Sequence, residues 1–378
     1  MEVSLNGSST SVRDSAKVRE PWPDGAWQEQ MQSRILTPET ALEEIGCSKE
    51  RLPVTIPEDF RYPFTITPHV LQRLKEVHDE GAEGDFEALC RIYFPSSAEK
   101  TPKREEITGT GEELTGALEN VYRFFSDRIL IRLTSFCPVM CRYCFVRKKV
   151  GPTGSALSEE HLQRIGEYLR DNPEIRDVII SGGDPLLFGD DRLASLLTML
   201  EEIPSIKMVR FDTKVPNVLP QRVTGGLIDT LSGVQLPVYI NVHFSHAAEI
   251  NGSVFRSSSL LRSAGCILGA HIPLLNEVND SADGMVKLVQ RLLETGIRPY
   301  MLIQYIPTDG ADHFGTSIEK GRRIIQSIWG RVSGMGIPIY VCYLPEGNGK
   351  SLLMPDGIVD TDGDQIVVTN HRGKEIRL

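Results

Sequence analysis

Three of the seven cysteines in this 378-residue chain, Cys137, Cys141 and Cys144, crowd into the stretch LTSFCPVMCRYCFVRKKVG. The spacing C-x3-C-x2-C places three thiolates on one short loop. A structural zinc wants four protein ligands, so His243 or His246 would have to come from a distant part of the chain to complete it. A four-iron, four-sulfur cluster held by three cysteines leaves one iron without a protein ligand, open to a substrate or cofactor, and fits the spacing better. Further along, RDVIISGGDPLLFGDDRL begins with the β-branched run Val178, Ile179, Ile180, which reads as a buried parallel strand. It breaks at Ser181, Gly182, Gly183, Asp184 and Pro185, where glycines let backbone approach a ligand at the carboxyl end of a strand. Alone, it reads as an ordinary turn into a helix. Lys350 follows the glycine-bearing loop PEGNG after the strand-like IPIYVCYL. Such a lysine, without further context, reads as a solvated surface residue.

These residues need a frame, and the chain from Arg128 onward supplies one. Apolar strand-like runs (ILIRLTSF, DVIIS, KMVRFDT, PVYINVHF, GCILGAHIPLL, RPYMLIQYI, PIYVCYL) alternate with helical stretches such as LSEEHLQRIGEYLRDN and ADGMVKLVQRLLETG. That succession predicts an α/β fold, a partial parallel (β/α)6-type barrel. Residues 1–105 show no strand alternation and read as an N-terminal extension of helices and loops, in which TPETALEEIG carries a Thr37 cap, Pro38 in the first turn and Gly46 at the end. Residues 106–340 form the barrel core, and 341–378 a C-terminal segment with Lys350 and a short tail. The formal net charge of −10 disfavours nucleic acid, since the only basic run is Arg147 to Lys149. No apolar run is long enough to span a bilayer or serve as a secretory core, so a cytoplasmic location without membrane contact is expected. An odd number of cysteines in such a chain points to metal or redox use rather than a disulfide framework.

With Tyr143 before its last cysteine, the loop closely resembles that of the radical S-adenosylmethionine (radical SAM) superfamily. The resemblance implies that S-adenosylmethionine chelates the open iron, that one electron from the cluster cleaves it to a 5′-deoxyadenosyl radical, and that Ser181, Gly182, Gly183 and Asp184 form the superfamily's GGEP element, with Asp184 against the amino group of the ligand. A narrower resemblance covers about residue 25 to 370: WQEQMQSRI, YPFTITPHV, VPNVLPQRVT, INVHFSHAAEI, LLNEVND, DHFGTSIEKG and LPEGNGKSLLMP occur in the order they take in the lysine 2,3-aminomutase family. It implies that Lys350 binds pyridoxal 5′-phosphate, that Arg128 faces its phosphate, that Asn241 and His243 contact cofactor, and that the amino group of a free amino acid moves from the α to the β carbon. It further implies a reductase or flavodoxin-type electron donor and leaves room for a homo-oligomer.

The departures from that family fall where substrate is read. Two aspartates that bind the distal ammonium of lysine align with Ile306 and Tyr343, so lysine is not the expected substrate. The arginine that grips the α-carboxylate aligns with Val146, leaving Arg147 or Lys148 to reach round to it, and Asp309 is placed to restore a cation site if its loop shifts. A phosphate-binding arginine aligns with Phe124, with Arg123 adjacent as a substitute. Asp280 is followed by Ser281 and the tail has no cysteine, so the family's structural zinc is not expected. Two alternatives stay open: the same cofactors directing a desaturation, epimerisation or other rearrangement, and a non-catalytic iron–sulfur protein, against which the retained Lys350 argues.

Overall fold

Local signals in the N-terminal extension act as the sequence predicts. The computed structural model describes residues 20–100, 112–113, 118–345, 348–362, 365–370 and 374–377; Glu346 and Gly347 of the lysine loop, residues 1–19 and residues 101–111 lie outside the described residues. Helices α1 (Ala26–Gln32), α2 (Pro38–Ile45), α3 (Pro68–Asp79) and α4 (Glu83–Tyr93) make up the extension. Thr37 caps α2 by accepting from the Thr40 amide, and Gly46 ends it in the left-handed conformation, φ 78°.

The barrel grows from a ten-stranded sheet whose spatial order is its chain order: β1 (Glu112–Glu113), β2 (Val121–Phe125), β3 (Arg128–Thr134), β4 (Asp177–Gly182), β5 (Met208–Thr213), β6 (Val238–His243), β7 (Ile267–Leu274), β8 (Arg298–Gln304), β9 (Ile339–Tyr343) and β10 (Lys350–Leu352). From β3 to β9 all neighbours are parallel. β1 with β2, β2 with β3, and β9 with β10 are antiparallel. Six helical crossovers join the parallel strands: α5 (Glu159–Asp171), α6 (Asp190–Glu201), the pair α7 (Val215–Val218) and α8 (Gly225–Ser232), α9 (Gly252–Ser263), α10 (Ala282–Glu294) and α11 (Ile318–Ile328). Six βα units and a closing strand are the partial barrel the alternation predicts. The sheet's ends, β1 and β10, do not pair with each other, which leaves the barrel open. A small antiparallel sheet follows, β11 (Ile358–Asp362), β12 (Gln365–Thr369) and β13 (Glu375–Arg377).

The two-residue period of a strand sorts side chains between core and cavity. On β3, Ile129, Ile131 and Leu133 are buried in the layer between sheet and helices, while Arg128, Leu130 and Arg132 line the space inside the barrel. A second apolar cluster joins α2, α3 and α4 to Val139, Leu275, Tyr305 and Phe314, residues on the loops beyond the carboxyl ends of the strands. The extension is therefore packed against the end of the barrel where an α/β fold places its site. Among the described residues no helix is long and apolar enough to cross a membrane.

Candidate active site

The cysteine loop leaves β3 and is held from below by the extension. The Met140 amide donates to the Thr65 carbonyl at 3.0 Å and the Arg142 amide to that of Ile92 at 2.9 Å. The Arg142 side chain, fully buried, donates to both carboxylate oxygens of Glu99 and to the carbonyls of Tyr62 and Pro63. Tyr143, the aromatic before the last cysteine, shares a 2.8 Å hydrogen bond with the Ser245 hydroxyl and meets Phe314 edge-on. All three thiols line one cavity of about 420 Å3, a size suited to small-molecule ligands. Burial raises their pKa values, that of Cys144 to about 12, and Cys137 and Cys144 also feel the charge of a neighbouring cysteine.

No three His, Cys, Asp or Glu side chains among the described residues converge as a single ion would require. A lone tetrahedral zinc would draw thiolates to about 3.8 Å from one another, whereas a cluster of four irons binds each on a different corner, further apart. Of the two histidines named for a zinc site, His246 accepts from the Ala248 amide, and His243 packs on His271 with ring centres 5.4 Å apart.

The Gly-Gly-Asp turn ends β4 directly beside that loop. Gly183 donates to the Thr134 carbonyl and Asp184 to that of Phe136, at 2.5 and 2.8 Å. A Cβ at Gly182 would collide with the Thr134 carbonyl and one at Gly183 with that of Phe136, so only glycine allows this approach. Asp184 lines the cavity with both carboxylate oxygens already bonded. Its Oδ1 accepts from the Thr213 hydroxyl and the Leu186 amide, and its Oδ2 from the amides of Lys214 and Val215. Burial pushes its pKa up to about 6 against the pull of those four donors. With both oxygens engaged, the carboxylate ties β4 to β5, and what the turn offers a ligand is the bare backbone of Ser181, Gly182 and Gly183.

Across the cavity, Lys350 opens β10 opposite Tyr343 in register. Its Nζ lies 4.6 Å from the centre of the Tyr343 ring and 3.9 Å from the Met301 sulfur. Burial works against its charge, but Tyr343 and Asp212 outweigh it and its pKa is raised. His243 and His271 stand beside it with their Nε2 atoms buried and without partners. Burial lowers their pKa values to about 4 and about 3, so both rings are neutral at pH 7. Asp212 approaches His271 Nδ1 at 3.9 Å, and His271 stacks on Tyr300. Asp212, His271, Tyr300 and Arg132 belong to no motif. They are gathered by the parallel register of β3, β5, β7 and β8, a signal readable only once the strands are ordered.

Residues 131–242 match the radical SAM superfamily. The chain is 32% identical to glutamate 2,3-aminomutase of Clostridioides difficile (strain 630), over 96% of this chain and 83% of that protein. It is also 32% identical to L-lysine 2,3-aminomutase of Clostridium subterminale, over 93% and 83%. This chain belongs to the lysine 2,3-aminomutase family of radical SAM proteins. Among solved structures, that of methylornithine synthase is 9% identical and covers 87% of this chain and 89% of its own, with a TM-score of 0.38. Membership of the radical SAM superfamily implies a four-iron, four-sulfur cluster and S-adenosylmethionine, and the donor set fits both: three thiols on one wall, glycine backbone and orphaned imidazole nitrogens around it.

Several residues that the family pattern brought forward do not reach the cavity. Arg147 is fully buried in the other direction, bonded to Glu99, donating to the Asp309 carbonyl and stacked 3.9 Å from the centre of Tyr62. Lys148 pairs with Asp309 at 3.5 Å. Asp309 is taken by Arg61 at 2.5 Å and by the Tyr62 hydroxyl, so it supplies no cation site inside. Arg123 is tied to Glu174, Tyr168 and Asn172, and Phe124 lines the cavity in its stead. Asn241 acts at one remove, donating to Asp212 at 2.9 Å. Val146, Ile306, Tyr343, His243 and Arg128 do line it, with Arg128 bound to Asp127 at 2.8 Å and stacked on Phe125.

Proposed function

We propose that the protein is a pyridoxal-phosphate-dependent radical SAM 2,3-aminomutase, moving the α-amino group of a free amino acid with an uncharged side chain to the β carbon. The observation that carries this reading is that the Lys350 amine and the three thiols face a single cavity. When bound, the cluster and S-adenosylmethionine supply a hydrogen-abstracting radical and pyridoxal phosphate supplies a carbonyl that captures amines.

The chain's own residues do the rest. Cys137, Cys141 and Cys144 hold the cluster, and the backbone from Ser181 to Gly183 lets S-adenosylmethionine lie against it. Lys350 is placed for a carbonyl because its amine, beside Tyr343 and the Met301 sulfur, forms no salt bridge with a carboxylate among the described residues. Arg128, at the start of β3, offers a guanidinium to the phosphate. Neutral His243 and His271 each present an unpartnered nitrogen to a ligand. Val146, Ile306 and Tyr343 make the wall that meets the substrate side chain, and a buried ammonium there would lack a carboxylate. The two relatives named above act on substrates of opposite charge, and this wall carries neither a carboxylate for one nor a cation for the other.

Borohydride reduction of protein incubated with pyridoxal phosphate tests the reading. The label is expected on the peptide containing Lys350, with a visible absorption band lost in Lys350→Ala. A label confined to other lysines, or no label at all, would overturn the pyridoxal part of the proposal and leave family membership untouched.

A further inference from the structure

Among the described residues, five Lys or Arg side chains line the cavity, and four already have an assignment. Arg128 pairs with Asp127, Arg210 with Asp177 at 2.6 Å, and Lys214 with Glu249 at 2.6 Å, while Lys350 is the amine discussed above. Arg132 differs from them. It is 7% exposed, its guanidinium stacks 4.8 Å from the centre of the Tyr122 ring, and no carboxylate or hydrogen-bond acceptor among the described residues takes it. With a ring face on one side and the cavity on the other, its guanidinium has donors left over for an anion that enters the cavity. Its fork of donors matches a carboxylate or a phosphate in two-point contact.

Its position discriminates between these anions. Arg132 lies four residues along β3 from Arg128, roughly 13 Å further in. Its charge reaches the Cys144 thiol, and its Cγ packs beside Gly182. The carbon that loses hydrogen must sit beside the radical source on that side, and a substrate carboxylate is only two bonds from it. A phosphate, in contrast, belongs near Arg128 at the beginning of the strand. The neighbouring wall at Val146 is apolar, and Arg147 is locked onto Glu99.

We propose that Arg132 is the anchor for the α-carboxylate of the substrate, supplied from the barrel strand rather than from the cysteine loop. This inference rests on the aminomutase reading.

The test is equilibrium binding to pyridoxal-phosphate-loaded protein, followed by the change in the cofactor's visible absorption. The probes are L-leucine, L-phenylalanine and L-glutamate, each compared with its primary α-amide. In the wild type at least one acid is expected to bind roughly 10- to 100-fold more tightly than its amide, the range for a charge-assisted hydrogen-bonded pair. In Arg132→Gln that ratio falls to about one, and Arg132→Lys keeps part of it, while cofactor content and S-adenosylmethionine affinity are unchanged in both. The proposal is overturned if Arg132→Gln keeps the preference, if no acid is preferred over its amide by the wild type, or if the variant loses cofactor or S-adenosylmethionine instead, which would make Arg132 a contact of the cofactor phosphate or of the S-adenosylmethionine carboxylate. If wild-type protein forms no chromophore at Lys350, the aminomutase reading itself fails and takes this inference with it.

Discussion

At the cysteine end of the cavity, Asp184, Glu249 and Arg142 have their polar atoms engaged by their own chain, while near Lys350 the Nε2 atoms of His243 and His271 stay open, as does the Arg132 guanidinium further along β3. Glu249 alone accepts from Lys214, Asn217, the Tyr93 hydroxyl and the amides of Ser245 and His246. Buried polar groups without partners are rare in folded proteins because each forfeits its hydration. The contrast separates two tasks. Where the groups satisfy one another they set the positions of loops, and where they remain open they wait for a ligand. Charge type does not decide which task a residue has: Arg142 within the cysteine loop and Arg132 on the strand before it are both buried arginines, yet one clamps Glu99 and the other faces the cavity.

Breaking the satisfied end has the largest expected effect. Glu249→Ala strands the buried Lys214 ammonium and should lower stability to urea by about 3–5 kcal/mol, the range for removing one partner of a buried pair. Lys350→Met, measured the same way without cofactors, should cost much less, because Lys350 forms no salt bridge among the described residues and its removal strands no paired carboxylate. Equal losses in the two variants would erase the distinction.

Titration of the open end comes next. His243 and His271 have folded pKa values of about 4 and about 3, below the unfolded value of about 6.5. Between those limits the unfolded chain binds more protons, so stability falls as pH drops from about 6.5, by up to about 1.4 kcal/mol per pH unit for each histidine. His69 and His313 are also depressed to about 4 by burial and contribute in the same window. The informative quantity is therefore the difference between wild type and His271→Asn, which should lose one histidine's share of the slope. An unchanged slope would mean that His271 is not held neutral in the folded protein.

The smallest effect concerns the side-chain wall. Ile306→Asp combined with Tyr343→Asp should strengthen L-lysine binding roughly tenfold, by giving its ammonium a partner, and weaken that of L-leucine. No gain for lysine would place the distal end of the substrate elsewhere.

The cysteine triad and the partial barrel were legible because each is local. Ligand spacing lies on one loop, and a two-residue or helical period needs only a short window. Arg132 left a signal of the same kind, a lone charge in the apolar run ILIRLTSF on the same strand face as Arg128, but its lack of a partner depends on what β2 and β4 bring to either side. Arg147 and Asp309 were misplaced because adjacency to the cysteine loop says nothing about which way a side chain leaves it, and Glu99, 48 residues upstream of Arg147, decides that. The bonds that hold Asp184 were not legible, since three of its four donors, Thr213, Lys214 and Val215, come from the end of β5.

The most direct test of the account is anaerobic turnover. Reconstituted protein with dithionite, S-adenosylmethionine and pyridoxal phosphate is given an equimolar panel of amino acids, and products are separated by chromatography before mass spectrometry. The account predicts a product of unchanged mass, the β-amino isomer of an amino acid with an uncharged side chain, absent in Cys144→Ala and in Lys350→Ala. Conversion of L-lysine to its β isomer at least as fast as that of any other member of the panel would contradict it.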